Sequence, residues 1–396
     1  MKTYLNELGV VCTLGAGKAA VAEALFAGDD SGIRPHAGRL PRGSLPLAAA
    51  YIELPAIPDA LAGARDNRNN RLLLAAAREI EAPIRAAIAR YGSERIGIII
   101  GTSTTGIDEA CHGIAGYRRD GAWPADYRYA HQELGAPAES LAEWLDVAGP
   151  CYGISTACTS GARALLSARR LLRLGLCDAV LCGGADTLAG LPINGFHALE
   201  ALDVTRCQPF SRNRRGINIG EAAALFLVTR EPGPVELQGG GASSDAYHMS
   251  SPDPQGLGAQ QAMQDALRDA GLDAGQIDYL NLHGTATEHN DAMESQAVAA
   301  VFAAGVPCSS TKSMTGHTLG AAGALEAAFC WLSLSDARAE RRLPPHVWDG
   351  EADPALPALA FTGVGDHLPA SGKRHLMSNA FAFGGNNACL ILGDAT

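Results

Sequence analysis

The chain has 396 residues, a formal net charge of −11 and only 18% charged residues against 47% hydrophobic ones. Chains longer than about 250–300 residues outgrow a single hydrophobic core, so two domains or two fused halves are expected. The acidic balance excludes a generally nucleic-acid-binding surface, and no apolar run reaches the roughly 18 residues of a membrane span. The ten cysteines form no CxxC pair and no zinc spacing, which fits free thiols in a reducing compartment. The opening Met1-Lys2-Thr3-Tyr4-Leu5-Asn6 has no long apolar stretch and no small-residue cleavage site. It predicts a cytoplasmic protein.

In chain order, residues 3–15 read as a strand and turn, and 17–27 as a helix. Residues 30–70 carry Gly and Pro punctuation and read as loop-rich. A helix is expected over 70–91, introduced by Arg65, Arg68 and Arg71. Ile96-Gly97-Ile98-Ile99-Ile100-Gly101 is a short continuous apolar run, the signature of a strand buried on both faces. Residues 102–135, with Gly106, Gly113, Gly121 and Pro124, read as a long excursion. Further buried strands are expected at 178–184 and 223–228. The pattern breaks at Glu231-Pro232-Gly233-Pro234 and begins again, with strands near 235–243 and 277–283 and a helix over 258–271. A helix at 291–304, a strand at 306–311, a helix at 319–335 and strands at 375–383 and 387–393 complete the series. Strands alternating with helices predict an α/β protein with a mostly parallel sheet covered on both faces.

Four stretches carry candidate chemistry. Ile154-Ser155-Thr156-Ala157-Cys158-Thr159-Ser160-Gly161 delivers a cysteine to the mouth of a helix whose apolar residues Ala164, Leu165, Ala168, Leu171 and Leu172 recur at helical spacing. The helix dipole and free backbone N–H groups there favour thiolate, the nucleophilic form. Tyr279-Leu280-Asn281-Leu282-His283-Gly284-Thr285 places His283 at the carboxyl end of a strand, the edge where open α/β sheets bind ligands. Ser309 through His317 opens an Ala-rich helix much as residues 155–161 open the first one. This likeness suggests a duplication, with a second imidazole, His317, at the equivalent mouth. Lys312, if buried, needs a carboxylate, and Glu326 in the following helix is the candidate. Asn379-Ala380-Phe381-Ala382-Phe383-Gly384-Gly385-Asn386-Asn387 reads as a strand–turn–strand, whose glycines either serve a plain hairpin or let backbone approach a ligand.

Taken together and in this order, these stretches resemble the β-ketoacyl-acyl carrier protein synthases, condensing enzymes of the thiolase-like superfamily, and among them the elongating Cys-His-His kind. The resemblance covers nearly the whole chain. It implies a five-layer α-β-α-β-α fold made of two duplicated halves, residues 1–231 carrying the nucleophilic cysteine and 232–396 carrying the two histidines. It implies an acyltransferase in which Cys158 takes an acyl group from the phosphopantetheine arm of acyl carrier protein. His283 and His317 then stabilise the enolate formed when malonyl-carrier protein loses CO2, and the chain grows by two carbons. Lys312 and Glu326 match the supporting ion pair, Phe383 an aromatic gate with Phe381 beside it, and Thr285, Thr287 and Gly384 the substrate-binding positions. No metal or other cofactor is implied.

The implied partners are an acyl carrier protein and either a second copy of the chain or a related ketosynthase or chain-length-factor subunit. Carrier proteins are acidic, so a local basic patch is expected despite the net charge. The candidates are Arg65, Arg68, Arg71 and Arg206, with Arg212, Arg214 and Arg215 beside the last. The stretch 98–106 and the run Arg215-Gly216-Ile217-Asn218-Ile219-Gly220-Glu221 depart from housekeeping fatty-acid enzymes. They point to a specialised bacterial type II enzyme of aryl polyene or polyketide kind. A housekeeping elongating enzyme and a non-catalytic chain-length-factor-like subunit are the alternatives, the latter disfavoured by the presence of Cys158.

Overall fold

The structure, a computed structural model, describes residues 1–38, 43–336 and 340–395. One twelve-stranded mixed sheet runs through the molecule. Its first five long strands are β1 (Tyr4–Cys12), β2 (Ile96–Gly101), β3 (Cys151–Ile154), β4 (Ala179–Asp186) and β5 (Ala222–Thr229). The next five are β6 (Val235–Ser244), β7 (Tyr279–Asn281), β8 (Pro307–Ser309), β9 (His375–Phe381) and β10 (Asn386–Asp394). Reading outward from the centre, one side is ordered β1-β5-β4-β2-β3 and the other β6-β10-β9-β7-β8. The order therefore repeats with a shift of five strands, and so do the strand directions: two antiparallel pairs, then two parallel ones. The two sides meet where Tyr4 and Leu5 of β1 pair with Glu236 and Val235 of β6.

The sheet is thus mixed rather than mostly parallel. Buried strands of either direction read as continuous apolar runs, so the sequence pattern locates them without giving their direction. The short turn between β9 and β10, for example, forces an antiparallel pair.

The helices repeat in the same way. The corresponding helices of the first half are α1 (Arg68–Glu79), α2 (Ala136–Leu145) and α3 (Ser160–Arg173), beside others without a counterpart here. Those of the second are α4 (Leu257–Ala270), α5 (Glu288–Val301) and α6 (Ala322–Leu334). Helix α1 lies on β1, β4 and β5, and α2 on β2 and β3, closing one apolar cluster. Helix α4 covers β6 and β10 and packs against α5 in another. Between the two sides lie α3 and α6, in the largest apolar cluster. Every residue of α6 is buried, as expected for a helix apolar on all faces. The layers are therefore helix, sheet, helix, sheet, helix.

Several local expectations need correction. The stretch 70–91 is two helices, broken at Ile80, with Asn67 capping the first by accepting the Asn70 N–H. The excursion 102–135 contains a helix, Ile107–Asp120. Gly113, read as punctuation, lies inside it together with Gly116, where Tyr127 and Pro124 leave no room for a Cβ. The loop-rich stretch 30–70 holds a hairpin, Ile33–Ala37 with Ser44–Ala48, although residues 39–42 lie outside the described residues. Among the described residues no helix is long and apolar enough to cross a membrane.

The two central helices touch through matching glycines. Gly161 is the second residue of α3 and Gly323 the second of α6. A Cβ on Gly161 would lie 2.7 Å from the Ala324 nitrogen, and one on Gly323 would lie 2.9 Å from the Ala162 Cβ. The contact is reciprocal, as a pseudo-twofold axis between the helices requires. Overpacking a filled core costs about 1–3 kcal/mol, so Gly323→Val should lower the unfolding free energy by about that amount in denaturant titrations. An unchanged midpoint would mean that the helices can part at no cost.

Candidate active site

Cys158 stands at the end of a strained turn. Ala157 before it has φ 52°, a left-handed conformation that disfavours any residue with a Cβ. The turn is held by its hydroxyls: Ser160 Oγ accepts the Thr156 N–H at 2.9 Å and donates to the Ala157 carbonyl, while Thr159 Oγ1 donates to the Thr156 carbonyl at 2.7 Å. The Ser and Thr hydroxyls thus hold the turn, whereas the Thr159 side chain, at the N-cap position, makes no cap bond to α3. The helix starts at Ser160, so Cys158 lies just outside it and is buried. Burial pushes its thiol up to about 12, against the opposing pull of the Lys312 ammonium and of the Phe383 and Cys158 backbone N–H groups. The expected resting thiolate is thus overridden by desolvation.

The second half supplies the imidazoles. His283 follows β7, and His317 lies between the short helix Lys312–Thr315 and a turn at Leu319–Ala321. The His317 backbone is clamped on both sides, its N–H donating to Asn218 at 2.7 Å and its carbonyl accepting from Gly220 at 2.9 Å. His317 Nε2 is 3.0 Å from Cys158 Sγ. The two imidazole rings meet edge to face with centroids 5.3 Å apart. Burial, then the Lys312 charge, holds both imidazoles well below the usual histidine range, and His317 further lowers His283. Both are therefore neutral at pH 7.

Lys312 is buried and donates to the Glu326 carboxylate, to the His283 carbonyl and, at 3.4 Å, to His283 Nδ1. An ammonium has no lone pair, so His283 Nδ1 must be the unprotonated nitrogen and Nε2 carries the hydrogen. Burial raises Glu326 to about 7, with Lys312 opposing the shift.

The loop bearing His283 is held by acids that sequence reading missed. Glu294 and Asp291, three residues apart on α5, accept four successive backbone N–H groups. Glu294 takes those of His283 at 2.8 Å and Gly284 at 2.7 Å; Asp291 takes those of Thr285 at 3.0 Å and Ala286 at 3.1 Å. Ala286 is another left-handed residue, φ 63°. On the first-half side, buried Asp186 accepts from Thr102 and Ser103 hydroxyls, from the Thr104 N–H and, at 2.6 Å, from the Gly320 N–H just beyond His317. The available signal was an acid at the carboxyl end of a buried strand, and an Asp–Glu pair spaced to share one helix face.

Cys158, His283, His317, Thr285, Thr287, Phe381 and Phe383 all line one small pocket. Lys312 and Glu326 stand behind it, and Gly384 is exposed in the β9–β10 turn with φ 87°. A vestibule of about 470 Å³ leads to the pocket, with Thr287, Asn290, Phe381 and Phe383 as shared walls. On the other side lies a largely apolar cavity of about 190 Å³ lined by Ile107, Leu191, Pro192, Phe196 and Leu319. The Phe196 and Phe383 rings stand at that junction, 5.3 Å between centroids.

The arginines expected to form a patch are spoken for within the chain. Arg65 pairs with Glu139 and Glu143, Arg68 with buried Glu221, Arg71 with Asp66, and Arg206 with Asp30. Arg212 and Arg214 pair with Glu351 and Asp353. Arg215 is exposed and lines the vestibule, and no carboxylate among the described residues lies within ion-pair distance of it.

Two measurements follow from this geometry. With its thiol near 12, Cys158 should be alkylated by iodoacetamide at a rate that climbs from pH 7 to 10 without levelling. His317→Ala should slow that reaction at pH 8 by about 100-fold, the range of general-base assistance; a plateau below pH 8 in the wild type would mean an already ionised sulfur. Breaking a buried ion pair from one side costs about 3–5 kcal/mol, and Glu326→Ala should show a loss of about that size in chemical denaturation. A loss under about 1 kcal/mol would place Lys312 in contact with solvent rather than in the interior.

Comparison with known proteins agrees with this architecture. Residues 63–232 match the beta-ketoacyl synthase N-terminal domain and 235–346 the beta-ketoacyl synthase C-terminal domain. Nodulation protein E of Rhizobium meliloti is 37% identical over 259 residues, a stretch that spans 62% of this chain and 62% of that protein. The 3-oxoacyl-[acyl-carrier-protein] synthase 2 of Staphylococcus aureus is 31% identical over 349 residues, 83% of this chain and 84% of that one. A chain of the solved ketosynthase (ApeO) in complex with its chain length factor (ApeC) from Xenorhabdus doucetiae superimposes with a TM-score of 0.93 and 46% identity, covering 99% of this chain and 98% of that one. Sequence motifs, duplicated layers and these relatives converge: the chain belongs to the β-ketoacyl synthase family and has its thiolase-like fold.

Proposed function

We propose that this chain is an elongating 3-oxoacyl-acyl carrier protein synthase that works by decarboxylative condensation. The observation that carries the reading is the convergence of one thiol and two neutral imidazoles, with Cys158 Sγ 3.0 Å from His317 Nε2 and a backbone N–H of Phe383 at the sulfur. Residues 1–231 supply the nucleophile and 232–396 the imidazoles.

In the first half-reaction His317 takes the Cys158 proton as sulfur attacks the acyl thioester of a carrier protein. The C–S bond to the carrier breaks, and the leaving thiol takes a proton. The developing oxyanion is met by the Cys158 and Phe383 N–H groups. The acyl chain then lies in the apolar cavity beyond Phe196 and Phe383. In the second, a malonyl thioester enters from the vestibule. Its C–CO2 bond breaks, CO2 leaves, and the electron pair passes to an enolate whose oxygen accepts hydrogen bonds from His283 Nε2 and from His317 Nε2, which carries the hydrogen in this half-reaction because the acylated sulfur no longer offers it a proton. The α-carbon attacks the acyl carbonyl, the bond to Cys158 Sγ breaks, and the resulting thiolate takes a proton from water. Neutral imidazoles suit this task because they donate hydrogen bonds without protonating the carbanion.

The carrier protein and a related subunit are the proposed partners. Solved neighbours of this chain include two ketosynthase and chain-length-factor assemblies, and a partner here would meet β3, the last strand on its side of the sheet, beside exposed Leu134 and Tyr152. We read the assembly as a specialised type II one. Of the candidate arginines, Arg215 is the one we take to meet the acidic carrier at the vestibule.

Incubation with acyl-carrier protein should add one acyl mass to the protein, and Cys158→Ala should remove the adduct. An adduct that survives in that variant would overturn the assignment of the nucleophile. Arg215→Glu should raise the KM for carrier protein at low salt, an effect that fades as ionic strength shortens the screening length toward about 3 Å near 1 M. A KM independent of both would place docking elsewhere.

A further inference from the structure

The apolar cavity beyond Cys158 takes its walls from both halves of the chain. Ser103, Thr104 and Ile107 come from the first and Leu319 from the second. Behind this seam stands Asp186, fully buried at the end of β4. Six N–H and O–H groups converge on its carboxylate: the Thr102 hydroxyl, the N–H and hydroxyl of both Ser103 and Thr104, and the Gly320 N–H. The two oxygens divide them. Oδ1 accepts from Thr102 Oγ1 at 2.7 Å and from the Ser103 and Thr104 N–H groups at 2.8 Å, while Oδ2 holds the Gly320 N–H at 2.6 Å. One carboxylate thus fastens the first-half wall with one oxygen and the second-half wall with the other.

Both walls are strained beside these attachments. Thr105, next to Thr104, has φ 48°, and Leu319, next to Gly320, has φ 52°. Such conformations persist only where the surroundings over-determine them, so Leu319 moves away once its tie is cut. The first-half wall extends further, since the Thr104 carbonyl accepts the Ile107 N–H at 2.9 Å. His317 has a separate clamp on Asn218 and Gly220. The bond to Gly320 therefore governs Leu319 rather than the imidazole.

We propose that Asp186 sets the acyl-chain specificity of this enzyme: by pinning Leu319 against Ser103 and Thr104 it fixes the width of the acyl cavity, and so the length of chain that Cys158 accepts. The proposal rests on the acyl-transfer reading above. Asp186 touches no substrate; it is a positioning residue that acts through Gly320 and Leu319.

Asp186→Asn keeps the size of the side chain and separates its two oxygens. An amide offers one accepting oxygen and one donating nitrogen. With the oxygen turned to the Ser103 and Thr104 N–H groups, the nitrogen faces the Gly320 N–H, donor against donor, and the seam is untied. The measurement is kcat/KM for acylation of Cys158, followed by intact mass, with butyryl- and octanoyl-carrier protein. The short chain stays beside the sulfur, whereas the long one must pass between the walls. The octanoyl-to-butyryl ratio should rise about 3- to 10-fold in Asp186→Asn, the worth of one hydrogen bond. A loss common to both donors cancels in the ratio. A ratio that stays at the wild-type value, or falls, would reduce Asp186 to a structural residue and overturn the proposal. Thr102→Val removes one donor to Oδ1 without altering a cavity wall. It should raise the ratio by about 2-fold, again less than one full hydrogen bond, and decides the matter if the asparagine variant folds poorly. If neither donor acylates wild-type Cys158, the acyl-transfer reading itself falls, and this proposal with it.

Discussion

The site exists because two helices meet at their amino-terminal ends with almost nothing between them. Gly161 and Gly323 let α3 and α6 approach until backbone touches backbone. A thiol from one half and an imidazole from the other are thereby brought within hydrogen-bond reach. No loop of either half could do this alone, since Cys158 and His317 are 159 residues apart in sequence. The reacting atoms sit on the turns that feed those helices, so their separation is fixed by core packing. Such rigidity is what catalytic geometry within a fraction of an ångström demands.

Holding the turns in place has a cost, visible in the backbone. Thr105, Ala157, Ala286 and Leu319 all take left-handed conformations, and all lie in loops around the pocket. Each such residue stores about 1–3 kcal/mol and persists only if its surroundings over-determine it. The buried acids Asp186, Asp291 and Glu294 do that by gathering runs of backbone N–H groups. Burial raises Asp291 to about 6 and Glu294 to about 7, the gathered N–H dipoles pull both back, and Arg214 does the same for Asp291.

Most of the site could be read from residue types and order. Cys158, His283 and His317 each sit at the junction of an apolar run and a polar turn, a pattern that survives without coordinates. The lysine–glutamate pair followed from the need of a buried ammonium for a carboxylate. The rest was hidden for physical reasons. A charged residue advertises its charge but not its partner, so Arg65, Arg68, Arg71 and Arg206 looked available while each was matched to an acid far away or close by in sequence. The acids that clamp the His283 loop bind backbone, which has no sequence signature. Gly113 concealed a helix because close packing and chain breaking use the same residue. Burial defeated the dipole argument for Cys158, and burial is a property of the whole fold.

The duplicated plan also carries an asymmetry. Helices α3 and α6 begin at equivalent positions, so the residue standing where Cys158 stands in the first half is Gly320 in the second. A Cβ at Gly320 would fall 2.7 Å from an Asp186 carboxylate oxygen and 2.9 Å from the Ser103 nitrogen. The space that a side chain there would occupy is taken by the Asp186 hydrogen-bond hub, which ties residues 102–104 of the first half to Gly320 of the second. A molecule built on a repeated plan thus carries a thiol at one helix mouth alone: any side chain at the other would have to displace the hub that ties its two sides together.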